Sequence, residues 1–385
     1  MKEGGFLLIL PFKQNKTISI GVEIELQLID DATGDLTPIA PKILKHLQQL
    51  DQENSVRIKS EIFQSMLEID TPICANAHEV GVSLRSSLGL VRQFAGESGG
   101  RVMMSGTHPF AHYADRLLTP DGRYFSLVDR NQWIAKRLQI FGLHVHLGMR
   151  NGDHAIAMNN ALCHYLPIIL ALSASSPYWH GEDTGLASSR ITFFEAIPTG
   201  GHPYLLQNWS AFEELVQKLV ISKSILSLKD LWWDIRPNIE YGTIEVRIAD
   251  CPPTLKEVEA IVAFLHALTE FIDAEISSGR QFSPPPEWIL RENKWRASRH
   301  GVAADFIVNA DGLSVPFLQV WNQICGSLQF FNKQFGYEQH FHFLDQLIQH
   351  GPSYQRQRNA AADGLKSVVD HLILENERDL PSWSF

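Results

Sequence analysis

Two glutamates and two histidines carry the clearest chemical signal in this sequence. Glu23 and Glu25 are two apart in residues 17–29 (TISIGVEIELQLI), and His144 and His146 are two apart in residues 142–148 (GLHVHLG). Both segments alternate apolar and polar residues, the pattern of a half-buried strand. On a strand, positions two apart share a face and lie roughly 7 Å apart along the chain. Two carboxylates facing the same space repel unless a cation lies between them, and hard divalent cations prefer oxygen ligands. Taken alone, Glu23 and Glu25 are better explained as a solvated sheet face than as a metal site. The signature recurs, however. Glu61 and Glu68 fall in segments predicted as strands, and Glu245 shares a strand face with Arg247. Leu143, Val145 and Leu147 occupy the opposite face from His144 and His146, so both rings turn to the polar side. A neutral imidazole beside carboxylates suits a magnesium- or manganese-type site.

Arginines supply the complementary half. Arg190, Arg236, Arg247, Arg296 and Arg299 sit near Pro, Asn or Gly turns or on polar strand faces. Guanidinium groups hold carboxylates and phosphates through paired hydrogen bonds. For Arg190 and Arg296 a surface salt bridge is the simpler expectation. Carboxylates to hold metal, together with arginines to hold phosphate, are the parts that phosphoryl transfer requires.

The elements that must position these groups read as strands and helices without regular alternation. Residues 17–29 form a strand. Residues 39–50 are predicted as a short helix, and residues 56–69 as two strands with a turn near Gln64 and Ser65. Residues 78–95 are helical, with Asn76 and Glu79 as a capping box. Residues 137–149 read as one strand and residues 238–249 as another. Between them, residues 155–172 read as a helix that Pro167 kinks or breaks. Thr254 and Glu257 cap a further helix, and the last fifty residues are helical in character. There is no GxGxxG and no Walker-type loop. The pattern predicts an antiparallel α+β sheet, not a doubly wound one, in a single catalytic domain over 1–385.

Bulk properties narrow the function classes. The 385 residues are 44% apolar and 20% charged, with a net charge of -10. That composition predicts a packed core. The acidic balance argues against nucleic acid or an anionic membrane as partner. Phe6 to Leu10 is too short for a membrane span or a signal-peptide core, and reads as a strand or tail. Cys74, Cys163, Cys251 and Cys325 match no zinc motif or disulfide framework, so reduced thiols in a cytoplasmic protein are expected.

Seven segments together resemble the glutamate–cysteine ligase type 2 family, the YbdK-like carboxylate–amine ligases. They are GVEIELQLID (21–30), EIFQSMLEIDT (61–71), SGTHPF (105–110), GLHVHLGM (142–149), SASSPYWHGEDTGLASSR (173–190), RPNIEYGTIEVRIAD (236–250) and ENKWRASRHG (292–301). They lie in family order over a core of about 17–301, ahead of a helical C-terminal portion of about 302–385. The resemblance implies a glutamine synthetase/guanido kinase-like fold, in which a curved antiparallel sheet forms a funnel with helices on its outer face. It implies ATP and Mg2+, with Mn2+ as the alternative ion, and a homodimer. It also implies phosphorylation of the γ-carboxylate of glutamate, followed by attack of an amine, cysteine in the family name. Carried over by position, Glu23, Glu25, Glu61, Glu68, His144 and Glu245 are the implied metal ligands. Glu245 and Arg247 are the implied catalytic pair, with Arg247 steadying the transferring phosphoryl group. Arg236, His146, Arg190 and Arg299 complete the expected ATP- and substrate-binding set. Loops around 105–130 and 181–203 are candidates for covering the site against water. Two other readings stay open: the same machinery acting on another carboxylate and amine, and a metal- or ligand-binding member without turnover.

Overall fold

A computed structural model describes residues 9–50, 57–280, 282 and 284–384. Residues 6–8 of the N-terminal apolar run, Val56, and Ser283 of the Pro-rich stretch lie outside these.

The centre is a seven-stranded sheet, built from β1 (Ile20–Asp30), β2 (Ile58–Ser60), β3 (Met66–Asp70), β4 (Gly100–Met103), β5 (Gly142–Gly148), β6 (Ile235–Asn238) and β7 (Thr243–Asp250). Their order is β6-β7-β5-β1-β3-β2, and β4 pairs with the far end of β1. Every pairing within this sheet is antiparallel. The alternation expected of β1 is observed. Ile20, Val22, Ile24, Leu26 and Leu28 are buried against the core, while Glu23 and Glu25 turn to the other face.

Helices cover the apolar face. Helix Ala77–Glu97 packs on β1, and helix Leu255–Ser277 packs on β5. Asn76 caps the first by accepting from the Glu79 amide, and Thr254 caps the second by accepting from the Glu257 amide, as their sequences predict. Helix Leu255–Ser277 is buried on nearly all sides, because helices Phe317–Gln334 and Glu338–His350 pack on its outer surface. A single apolar cluster runs from Ile18 through Ile373. Residues 304–373 therefore complete the core behind the sheet.

Three segments depart from the expected boundaries. Residues 238–249 are not one strand. β6 ends at Asn238, a turn passes through Glu240 and Tyr241, and β7 begins at Thr243. Gly242 makes that turn with φ +68, where an added Cβ would lie 1.9 Å from the Lys13 carbonyl oxygen. Pro237 is tolerated because β6 is the edge strand of this sheet. Residues 137–149 are strand only from Gly142, preceded by the short helix Trp133–Lys136. Finally, Glu61 follows β2 instead of lying in it. Its loop is held by residue 119, where the Thr119 amide donates to the Ile62 carbonyl at 2.9 Å. Pro167 breaks the chain as expected. Helices Gly152–Cys163 and Leu166–Ser173 meet at 62°, with the proline in the first turn of the second. No single helix among the described residues is long and apolar enough to cross a membrane.

Candidate active site

The polar face of the sheet lines a cavity of about 510 Å³. Strand register decides who meets whom there. Glu23 lies opposite His144 across β1 and β5, and Glu25 lies opposite Glu68 across β1 and β3. Glu245 lies opposite His146 across β7 and β5, and Arg236 lies opposite Glu245 across the β6–β7 hairpin. Residues from five strands thus converge without any loop having to find its place. Glu61 enters from the loop after β2, its carboxylate accepting from the Ile62 amide at 2.9 Å.

The contacts are those of a crowded acidic centre with one basic wall. Glu23 faces both imidazoles, with 3.4 Å to Nδ1 of His144 and 3.4 Å to Nε2 of His146. His146 Nδ1 shares a hydrogen bond of 3.0 Å with Thr243 Oγ1. Glu245 is gripped from two sides: Arg236 Nε donates to it at 3.0 Å, and Arg247 Nη1 donates to its other oxygen. Glu25 accepts from the Gly142 amide.

These surroundings split the carboxylates into two groups. Burial raises the proton affinity of Glu245, but Arg236 and Arg247 outweigh it and hold the group well below the usual range. Glu23 is likewise held low, because His144 and His146 overcome its burial. Glu25, Glu61 and Glu68 move the other way. Burial, opposed by Arg190, raises Glu25. Burial and the charge of Glu25 push Glu61 up to about 7. Burial and Glu23 raise Glu68 well above its ordinary value. Burial and Arg247 depress His144 to about 4, so its ring is neutral. Such a cluster is short of positive charge on the Glu25–Glu61–Glu68 side.

The donor set fits a hard divalent cation. Ligand atoms of Glu23, His144 and Glu245 lie within 4.8 Å of one another, as do those of Glu25, Glu68 and His144. His144 belongs to both groups, and its Nε2 is buried without a hydrogen-bond partner among the described residues. Oxygen donors with one neutral imidazole match magnesium or manganese chemistry.

Arg190 and Arg299 do not reach the cavity. Arg299 is exposed at the end of helix Glu287–His300 and donates to the Gly185 carbonyl. Arg190 is fully buried beside Gly142 on the Glu25 and His144 side of the sheet, just outside the cavity lining, which removes the surface-salt-bridge expectation. Its guanidinium lies 4.0 Å from Asp250 and 3.4 Å from the carbonyls of Arg247 and Ile248. Asp250 in turn accepts from Ser176 at 2.7 Å and Ser188 at 2.9 Å. Arg296 forms the surface pair expected of it, with Glu292 at 2.9 Å.

The sequence reading missed other residues of the cavity. Arg123, Tyr124 and Leu127 come from helix Gly122–Asn131, within the 105–130 segment, while Phe194 is the contribution from 181–203. Lys59, Lys229, Trp232 and Tyr241 complete the rim. The only sequence signal for Arg123 is its place just after Asp121, a helix N-cap residue.

Fold and site together define a ligase-type centre on an antiparallel sheet. The profile of glutamate-cysteine ligase family 2 (GCS2) matches residues 19–371, and the chain belongs to that family. A protein of Bdellovibrio bacteriovorus, provisionally named glutamate–cysteine ligase 2, is 45% identical over 96% of this chain and 98% of its own length. A likewise provisionally named protein from Thermobifida fusca is 37% identical over 97% of this chain and 95% of its own. Among solved structures, the glutamate–cysteine ligase of Francisella tularensis in complex with AMP superposes with a TM-score of 0.67 at 12% identity, covering 96% of this chain and 89% of that one. A bifunctional glutathione synthetase from Pasteurella multocida gives 0.65 at 14% identity, covering 94% of this chain and 52% of that one. At those identities the two structures speak for the fold alone.

Proposed function

We propose that this chain is an ATP-dependent carboxylate–amine ligase that joins glutamate to cysteine through a γ-glutamyl phosphate intermediate. The observation that carries the reading is Glu245, shared between two arginines on one side and a His144-centred carboxylate cluster on the other. A cluster built only to bind metal has no need of a guanidinium pair at its edge.

Glu23, Glu25, Glu61, Glu68, His144 and Glu245 would hold magnesium ions. When bound, these screen the charge of ATP and of the attacking carboxylate. Arg247 and Arg236 spread the charge of the transferring phosphoryl group, already oriented by their bonds to Glu245. His146, fixed by Thr243, stands beside Glu23 to contact phosphate or substrate. A γ-carboxylate oxygen of glutamate attacks the γ-phosphorus and ADP departs. The amine then attacks the acyl carbon and phosphate departs. Phe194, Tyr124 and Leu127 on the cavity wall help keep water from the acyl phosphate.

The same reading carries a homodimer in the cytoplasm, and four unpaired cysteines support a reducing compartment. The deciding assay is magnesium-dependent ADP release from ATP, with and without glutamate, then with cysteine or an amine panel. Release requiring both glutamate and cysteine is expected. Release with another pair would keep the machinery and replace the substrates, and no release with any pair would overturn the reading.

A further inference from the structure

The cations around the cavity are not equally occupied. Arg236 and Arg247 are bound to Glu245, and Lys59 is paired with Asp70 across β2 and β3. Two others have no carboxylate partner among the described residues, Lys229 and Arg123. The helix Gly122–Asn131 reaches both ends of this lining, since its Arg130 pairs with Asp230, the neighbour of Lys229, at 2.9 Å. Lys229 belongs to the basic wall, since Arg236 Nη1 donates to its carbonyl at 3.4 Å. Arg123 belongs to the Glu61 bank. Its helix is tied there by the Tyr124 hydroxyl, which donates to the Ser60 carbonyl at 3.3 Å, and the guanidinium is near enough for its charge to act on Glu61. The Asp121 side chain accepts from the Arg123 amide at 2.7 Å and fixes the first turn of the helix. Among the described residues the Arg123 side chain makes no hydrogen bond or ion pair, and its guanidinium carbon lies 5.8 Å from the centroid of the neighbouring Tyr124 ring.

In-line phosphoryl transfer puts the attacking and leaving oxygens on opposite sides of phosphorus. With the phosphoryl group steadied by the Arg236–Arg247 wall, the nucleotide occupies the Lys229 bank and the acid approaches from the Glu61 bank. A free amino acid attacking through its side-chain carboxylate still carries an α-carboxylate, which needs its own cationic partner. A planar fork matches a carboxylate through two parallel bonds. We infer that Arg123 binds the α-carboxylate of the amino-acid substrate and so sets the preference for free glutamate over acids lacking that group. The inference rests on the ligase reading and adds a substrate-recognition residue to it.

The test compares glutamate with 4-aminobutanoate, which keeps the reacting carboxylate and lacks the α-carboxylate. Initial rates of ADP formation are measured for the unmodified enzyme, Arg123→Gln and Arg123→Lys, at fixed magnesium and amine. The ratio of kcat/KM for glutamate to that for 4-aminobutanoate is expected to fall about 30-fold in Arg123→Gln, with KM for ATP moving less than about threefold. Arg123→Lys should recover part of the preference. Where 4-aminobutanoate turns over too slowly, its competitive inhibition constant against glutamate replaces its kcat/KM. An unchanged ratio, or a rise in KM for ATP in its place, overturns the assignment of Arg123 while leaving the ligase reading intact. Absence of glutamate-dependent ADP formation in the unmodified enzyme removes the ligase reading, and the assignment with it.

Discussion

Arg190 holds Arg247 by its backbone. The Arg190 guanidinium approaches the Arg247 and Ile248 carbonyls at 3.4 Å, at the point where β7 slips register against β5 between Val246 and Ala249. Two residues of β7 there oppose the single residue His144, the arrangement of a bulge, which bends a strand and re-aims its side chains. The Arg247 amide also donates to the Asp234 carbonyl at 2.8 Å. A buried arginine outside the cavity thus governs where a cavity arginine points.

Arg190→Met should therefore behave as a stability and geometry variant. It leaves Asp250 buried without its cation, at a cost of about 3–5 kcal/mol. Urea unfolding is expected to show that loss. In the folded fraction, kcat should fall while KM for ATP stays nearly constant. Intact stability with a raised KM for ATP would mean that Arg190 contacts the nucleotide.

Glu245→Gln preserves shape and removes the charge shared by Arg236 and Arg247. ADP formation is expected to drop about a thousandfold. Glu245→Ala should also lower the unfolding free energy by about 3 kcal/mol or more, because two largely buried guanidiniums lose their common partner. Unchanged turnover in either variant would remove Glu245 from the centre.

Arg247→Lys keeps the charge and loses the planar fork. The expected result is a fall in kcat of about a hundredfold, with nucleotide affinity changed less than about threefold. Isothermal titration with a non-hydrolysable ATP analogue checks the second half. A loss confined to affinity would assign Arg247 to nucleotide binding.

Glu61 provides a pH signature. Its proton affinity rises from an ordinary 4.5 to about 7 in the folded chain. Between those values the folded state holds a proton that the unfolded state has released, so this group's contribution to stability falls as pH rises through the window. Without metal, Glu61→Gln should gain stability relative to the unmodified protein between about pH 5 and 7.5, by on the order of 2–3 kcal/mol. Saturating magnesium should reverse the order at pH 7.5, since the metal binds the deprotonated carboxylate. Paired melting curves across pH read both effects, and a pH-independent difference would remove Glu61 from the cluster.

Much of this site was legible from spacing. Period-two alternation placed Glu23, Glu25, His144 and His146 on the polar face, because a sheet with one buried face allows no other register. It could not reveal that Glu23 meets His144 while Glu25 meets Glu68, since pairing partners are set by tertiary register. Alternation also ran through the turn at Gly242 and merged two strands into one. The burial of Arg190, expected at the surface, was hidden for a different reason. Arginine is rarely buried, so only the serines and Asp250 that surround it, distant in sequence, explain its position. Arg123 was missed because it belongs to a helix at the rim, outside the strand pattern that carried the argument.

β1 pairs with three strands and presents apolar residues to the core at the alternate positions to Glu23 and Glu25. A one-residue insertion or deletion within β1 ahead of Glu23, unless a bulge absorbed it, would exchange the two sets along the rest of the strand, sending the carboxylates into the hydrophobic interior. No such lesion could damage the chemistry and spare the fold. Changes of length within β1 are thereby selected against, and a chain that folds and keeps both acids holds them on the cavity face.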